Sequence, residues 1–135
     1  MKTQRTVIAF VMALLLAALA GCSQKVSGVK EGGLYAFKNE NGSYSVLKVL
    51  KSEGGGVHVK VYSNQFDSPP TQVDESKLYV VGVNHKPNET LGNDDMPLKP
   101  EGYLNYHATF VQQSTVTPQE LEGYNTWKKA GGQYY

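Results

Sequence analysis

The chain opens with an unbroken apolar run of fourteen residues, Val7 to Ala20, behind the positive charges of Lys2 and Arg5. Positive charge, a short apolar stretch and small residues after it are the three parts of a secretory signal. The run falls short of the roughly 20 residues that a stable transmembrane helix needs. The pattern therefore predicts an export segment, Met1 to Gly21, that is removed and does not remain as an anchor. From Cys22 to about Gly33 the chain is polar, rich in lysine, glycine and serine, and lacks apolar periodicity, as expected of a flexible tether of about ten residues.

Beyond the tether the pattern becomes that of a β-meander. Leu34 to Lys38 reads as a short strand, Asn39-Glu40-Asn41-Gly42 as a turn, and Ser43 to Lys51 as a second strand rich in β-branched and aromatic residues. That second strand is apolar on both faces, with Tyr44, Val46 and Leu50 opposite Leu47 and Val49, which predicts a central place in the sheet. Glu53-Gly54-Gly55-Gly56 is a second turn. In the third strand, Val57, Val59 and Val61 face one way and His58, Lys60 and Tyr62 the other, the alternation of a half-buried strand with the polar set outward. Asp67-Ser68-Pro69-Pro70 interrupts the pattern, and Lys77 to Val83 resumes it as a fourth strand.

Residues 84–101 carry Pro87, Pro97 and Pro100 and read as a long loop. A fifth strand is predicted from Tyr103 to Gln112, with Leu104, Tyr106, Ala108 and Phe110 inward. The strongest helical signal lies at about residues 118–130. Thr117-Pro118-Gln119-Glu120 combines an N-cap, a proline at the first helical position and a glutamate at the third. Leu121, Tyr124 and Trp127 recur at helical spacing, Lys128 and Lys129 complement the dipole, and Gly131-Gly132 ends the helix.

Leu19-Ala20-Gly21-Cys22 resembles the lipobox of bacterial lipoproteins. The resemblance covers the first twenty-two residues and implies cleavage between Gly21 and Cys22, with a diacylglyceryl group and further acylation on Cys22. It also implies a protein held to the membrane through acyl chains. Ser23, where aspartate would favour inner-membrane retention, points by the same resemblance to the outer membrane, with the domain facing the periplasm. The strand pattern from about Gly33 to Val83 resembles a small SH3-like or Tudor-like barrel. The expected fold class is thus mainly β: a small SH3-like meander or partly open barrel of four or five strands, with one C-terminal helix, spanning residues 34–135.

Composition narrows the functional classes. Removing 21 of 135 residues leaves 114, enough for one domain with one modest core. Processing takes away Lys2 and Arg5, which reduces thirteen basic residues to eleven against twelve acidic ones, a balance of −1. Every basic residue that remains is lysine, so the arginine-rich footprint of a nucleic-acid binder is missing. The lone cysteine, Cys22, is committed to lipid and leaves no thiol for a disulfide. Packing of the nine tyrosines, three phenylalanines beyond the signal and Trp127 must supply much of the core.

Candidate chemistry is sparse. His58, His85 and His107 offer imidazoles but are spread over a strand face, a loop and a second strand, so they read as ordinary surface histidines. Asn93-Asp94-Asp95 supplies oxygen ligands without the spacing of a calcium loop and reads as a solvated turn. No nucleophile elbow or phosphate loop is present, and no cofactor or metal is expected. The aromatic C-terminal segment has more functional colour: Tyr124, Trp127, Tyr134 and Tyr135 are the candidate partner contacts, since a short helix cannot bury all its rings. The expectation is a non-enzymatic, membrane-anchored envelope lipoprotein that binds another envelope protein. A peptidoglycan-binding module and a periplasmic immunity protein against a delivered toxin are the alternatives.

Overall fold

Three short segments rich in β-branched residues, joined by the two expected turns, make the meander β1 (Gly33–Lys38), β2 (Tyr44–Glu53) and β3 (Gly56–Val61). In the first turn the Asn39 amide donates to Ser43 O at 2.8 Å, and Gly42 takes a φ of 86° that only glycine adopts readily. In the second, Gly54-Gly55 forms the bend and Glu53 pairs with Gly56. The computed structural model describes residues 26–135; the expected signal segment, Gly21, Cys22 and the start of the tether lie outside them. Two more strands, β4 (Asn93–Leu98) and β5 (Thr109–Gln113), complete one antiparallel sheet in the order β4-β3-β2-β1-β5. This mainly β, open five-stranded sheet agrees with a small SH3-like, partly open barrel. Among the described residues the helices are α1 (Pro100–Leu104) and α2 (Glu122–Lys129), and a 3₁₀ turn spans Glu75–Lys77. Among the described residues no helix is long and apolar enough to cross a membrane.

β2 is the central strand, as its two apolar faces require. On one face Tyr35, Phe37, Leu47, Val49, Val57 and Val59 form the main core, and Tyr103 of α1 covers them with Tyr106, Ala108, Val26 and Val29. Leu47, Val49 and Val59 are wholly buried, each contributing roughly 1.5–3 kcal/mol. We call this the apolar face. The other, mixed face buries Leu34, Val46, Tyr62 and Val73 under Phe66, Leu78 and Val80. It also buries Lys48 and His58, at 1% and 0% exposure.

The structure corrects several expectations. Val26 and Val29 pack on the apolar core, Lys30 N donates to Tyr35 Oη at 3.0 Å, and the Glu31 carboxylate accepts from Ser52 N. The segment expected as a flexible tether, residues 22–33, is therefore docked on the domain from Val26 onward. Residues 78–83 form no strand, because the side chains of β3's continuation replace the ladder: Asn64 Oδ1 accepts from Tyr79 N, and Ser63 Oγ from Val81 N. The fourth strand lies inside the expected 84–101 loop. Pro97 is tolerated there because β4 is an edge strand.

The expected fifth strand is shortened from its front. Pro100 starts α1, so Tyr103 is buried while Leu104 is 55% exposed, the reverse of the expected alternation. His107 then adopts φ 48° before β5. The C-terminal helix is present but begins late. Thr117 and Glu120 do form the capping box, with Glu120 N donating to Thr117 Oγ1 at 3.2 Å and Thr117 N to Glu120 Oε2 at 2.9 Å. The following turn is tighter than α, with Leu121 N on Pro118 O and Glu122 N on Gln119 O. Gly131 and Gly132, both at positive φ, end α2.

Candidate functional site

Antiparallel pairing sets Lys48 of β2 directly opposite Lys60 of β3, a like-charge pair that needs anions nearby. Two come from outside the sheet, Glu75 and Glu120, and a third, Asp94, from β4. Lys48 Nζ donates to Glu75 Oε1 at 2.8 Å and to both Glu120 oxygens at 3.1 Å. Lys60 Nζ lies 3.8 Å from Glu120 and 3.9 Å from Asp94. Ser114 Oγ donates to the other oxygen of Glu75. Burial alone would raise the Glu75 carboxyl, but the hydrogen bonds from Lys48 and Ser114 and the Lys48 charge more than offset it, so its pKa lies below the usual value. Glu120 is lowered in the same way: burial opposes, and the Thr117 amide, Lys48 and Lys60 prevail. Both carboxylates are thus held ionised. Tyr62, beside them, is pushed well above the usual phenol value by burial and by the charges of Glu120, Glu75 and Asp94.

The second polar group of the mixed face is His58. Its Nδ1 is 2.8 Å from Asp95 Oδ1 on β4, while Nε2 is buried without a partner. Three rings meet the imidazole edge to face, with centroids at 4.9 Å for Tyr124, 4.3 Å for Trp127 and 5.4 Å for Tyr134. Gly123 makes this closure possible, because a Cβ there would stand 2.8 Å from Asp95 Cβ. Tyr134 crosses the Gly55-Gly56 turn, and burial, followed by Glu53, Tyr124 and Asp95, raises its hydroxyl to about 12. Trp127 Nε1 donates to Gln133 O at 2.6 Å, which ties α2 to this returning segment.

His58 is therefore a core residue and no surface histidine. Asp95 is its partner on a strand, in place of a solvated turn. His85 sits in an exposed loop, with Nδ1 2.8 Å from Lys86 O, and His107 follows α1. Among the described residues no group of three or more histidine, cysteine or acidic side chains is placed to hold a metal. Of the four aromatic partner candidates, Tyr124 is buried at 6% and hydrogen-bonded to Glu53. Trp127 and Tyr134 are half-buried around His58. Tyr135 alone is fully on the surface, at 78%, with its backbone paired to Pro97 and Lys99.

Trp127 also has an outward aspect. With Thr126, Gly123, Asn93–Asp95, Val80 and Gly82 it lines an open cleft of about 650 Å³. The chain matches no known family model, no curated protein and no solved structure. The reading of the cleft rests on its own chemistry. The segment beside it, residues 79–91, exposes Tyr79 at 50%, Val83 at 92% and Leu91 at 53%. Sequence reasoning missed this cleft because residues 93–98 look like loop and residues 77–83 like strand. The available signal was Met96 and Leu98 alternating with Asp95 and Pro97, a period-2 pattern masked by the proline.

Proposed function

We propose that this chain is a lipoprotein of the bacterial envelope, acylated on Cys22 after loss of Met1 to Gly21, whose domain is a non-enzymatic protein-binding module. The outer membrane is the proposed location, with the domain in the periplasm. Anchorage rests on Leu19-Ala20-Gly21-Cys22 behind its apolar run. The binding reading rests on one observation: an open cleft lined by Trp127, Gly82 and Gly92, the last two being chain neighbours of the exposed apolar Val83 and Leu91. Tryptophan beside exposed aliphatic residues is the composition of a protein-contact surface. The two buried side chains with catalytic potential, Lys48 and His58, support the same reading, because they are engaged or enclosed. Lys48 is saturated by two carboxylates, and His58 is closed over by three rings.

Two measurements test the proposal. Labelling with a radioactive fatty acid should mark the chain and fail to mark Cys22→Ala; equal labelling of both would refute anchorage. A photo-crosslinking residue at position 83 should capture one discrete envelope protein in intact cells, and Val83→Asp should abolish cofractionation with it. A uniform absence of adducts from positions 83, 91 and 126 would refute the binding reading.

A further inference from the structure

The short connection between Cys22 and the folded domain restricts which surface can face the membrane. Val26 and Val29 already pack on the apolar core. Four Cα steps separate Cys22 from Val26, and a peptide reaches at most about 3.6 Å per residue, so the reach is about 14 Å. A domain of this size is roughly 34 Å across, so it cannot turn freely on such a link.

The surface beside Val29 suits that position. Lys30 Nζ lies 4.7 Å above the Phe110 ring, and Phe110 is 42% exposed. Tyr35 lies beneath, edge to face with Phe110 at 5.5 Å and with Tyr103 at 6.3 Å. Leu104, next to Tyr103, is 55% exposed. Phe110 also forms the rim of an open groove of about 590 Å³ with Phe37, Tyr106 and Pro70. The titratable side chains lining that groove are Lys38, His107, Tyr44 and Tyr106, with no carboxylate among them. An exposed ring and aliphatic side chain flanked by Lys30 and Lys38 match the boundary between acyl chains and anionic headgroups.

We propose that this side of the domain, from Lys30 through Phe110 and Leu104 to Lys38, rests directly on the anionic surface of the bilayer that holds Cys22. The Trp127 cleft and residues 79–91 then face away from the membrane. This inference rests on the anchoring reading above. It adds the orientation that anchorage alone leaves open.

The test uses the full acylated chain in vesicles of phosphatidylethanolamine and phosphatidylglycerol. Thioether-linked Cys22 cannot react with a maleimide nitroxide, so Phe110→Cys, Leu104→Cys and Val83→Cys each carry a single label. Labels at 110 and 104 should be at least about twofold less accessible to a water-soluble nickel reagent than the label at 83, as for side chains seated in the headgroup region. Lys30→Glu with Lys38→Glu should bring position 104 back towards the value at 83. Equal aqueous accessibility at all three positions would overturn the inference, as would protection at 104 and 110 only when envelope proteins are added, which would make the groove a protein site. Because Leu104 is exposed, its variant remains informative if Phe110→Cys folds poorly. The N-terminal peptide mass separates the two failures. Without the diacylglyceryl increment the anchoring reading fails; with it, water-exposed labels refute the orientation alone.

Discussion

The apolar face buries Leu47, Val49 and Val59 against rings and aliphatic side chains, whereas the mixed face buries Lys48 and His58 on the same strands. Shape is enough on the first. The second also depends on carboxylates that arrive from residues 75, 95 and 120, and those come from a 3₁₀ turn, an edge strand and a capped helical turn. The difference teaches that one face of this sheet needs only apolar cover, which α1, Val26 and Val29 supply, whereas the other needs specific carboxylates from distant segments.

The largest effect should come from Lys48. Lys48→Ala leaves Glu75 without its cation and Glu120 with only the more distant Lys60, and should cost about 3–5 kcal/mol in urea unfolding. The comparison is sharpest with methionine at neighbouring positions. Leu47→Met conserves volume on the apolar face and should cost less than about 1.5 kcal/mol, whereas Lys48→Met should remain close to Lys48→Ala. Similar costs for the two methionine variants would erase the distinction between the faces.

Acid should act selectively on the mixed face. Glu75 and Glu120 have lowered pKa values in the folded protein, so over the acid range the unfolded chain binds more protons. Their contribution is complete above the ordinary glutamate value of about 4.3 and is lost as the pH falls through the lower folded values. Stability followed by urea midpoint should decline below about pH 5 in the parent protein. Lys48→Met, which removes the part of the lowering due to Lys48 and leaves that due to Ser114, Thr117 and Lys60, should decline less steeply. Parallel slopes would show that these carboxylates do not carry the acid sensitivity.

The two faces also differ in how far the sequence reveals them. The alternation of Val57, Val59 and Val61, the Gly54-Gly55 turn and the doubly apolar β2 lead directly to the meander and to its central strand. The same alternation assigns His58, Lys60 and Tyr62 to solvent, because local periodicity reports polarity and says nothing of what later covers it. Lys48 gave no warning, since its carboxylates are 27 and 72 residues away. β4 was hidden by Pro97, whose missing N–H matters only in an interior strand. Of the candidate site, Trp127 was legible from the helix pattern. The cleft was not, because it joins three segments distant in sequence.

Asp95 offers a smaller perturbation of the mixed face. Asp95→Ala removes the partner of His58 Nδ1 and leaves both ring nitrogens unpaired in a closed site, at a cost of roughly 1–3 kcal/mol. Trp127 packs on that imidazole at 4.3 Å, so its fluorescence should change in the folded state as well. An unchanged spectrum and stability would mean that Asp95 contributes little to seating α2. Asp95→Asn keeps an acceptor for the imidazole N–H and should recover part of the loss.

The smallest expected effect lies where helix capping and the mixed face share a residue. Glu120 accepts from Thr117 N and also binds Lys48, so the capping box that starts the C-terminal helix orients a carboxylate of the buried network. Thr117→Ala removes the hydroxyl that receives Glu120 N and should cost about 1 kcal/mol. If the box only nucleates the helix, this loss should add to that of Lys48→Met within about 0.5 kcal/mol. If it positions Glu120 for Lys48, the double variant should lose less than the sum. The double-mutant cycle thus measures whether the mixed face draws its order from the helix terminus, a dependence that Leu47 and its neighbours do not share.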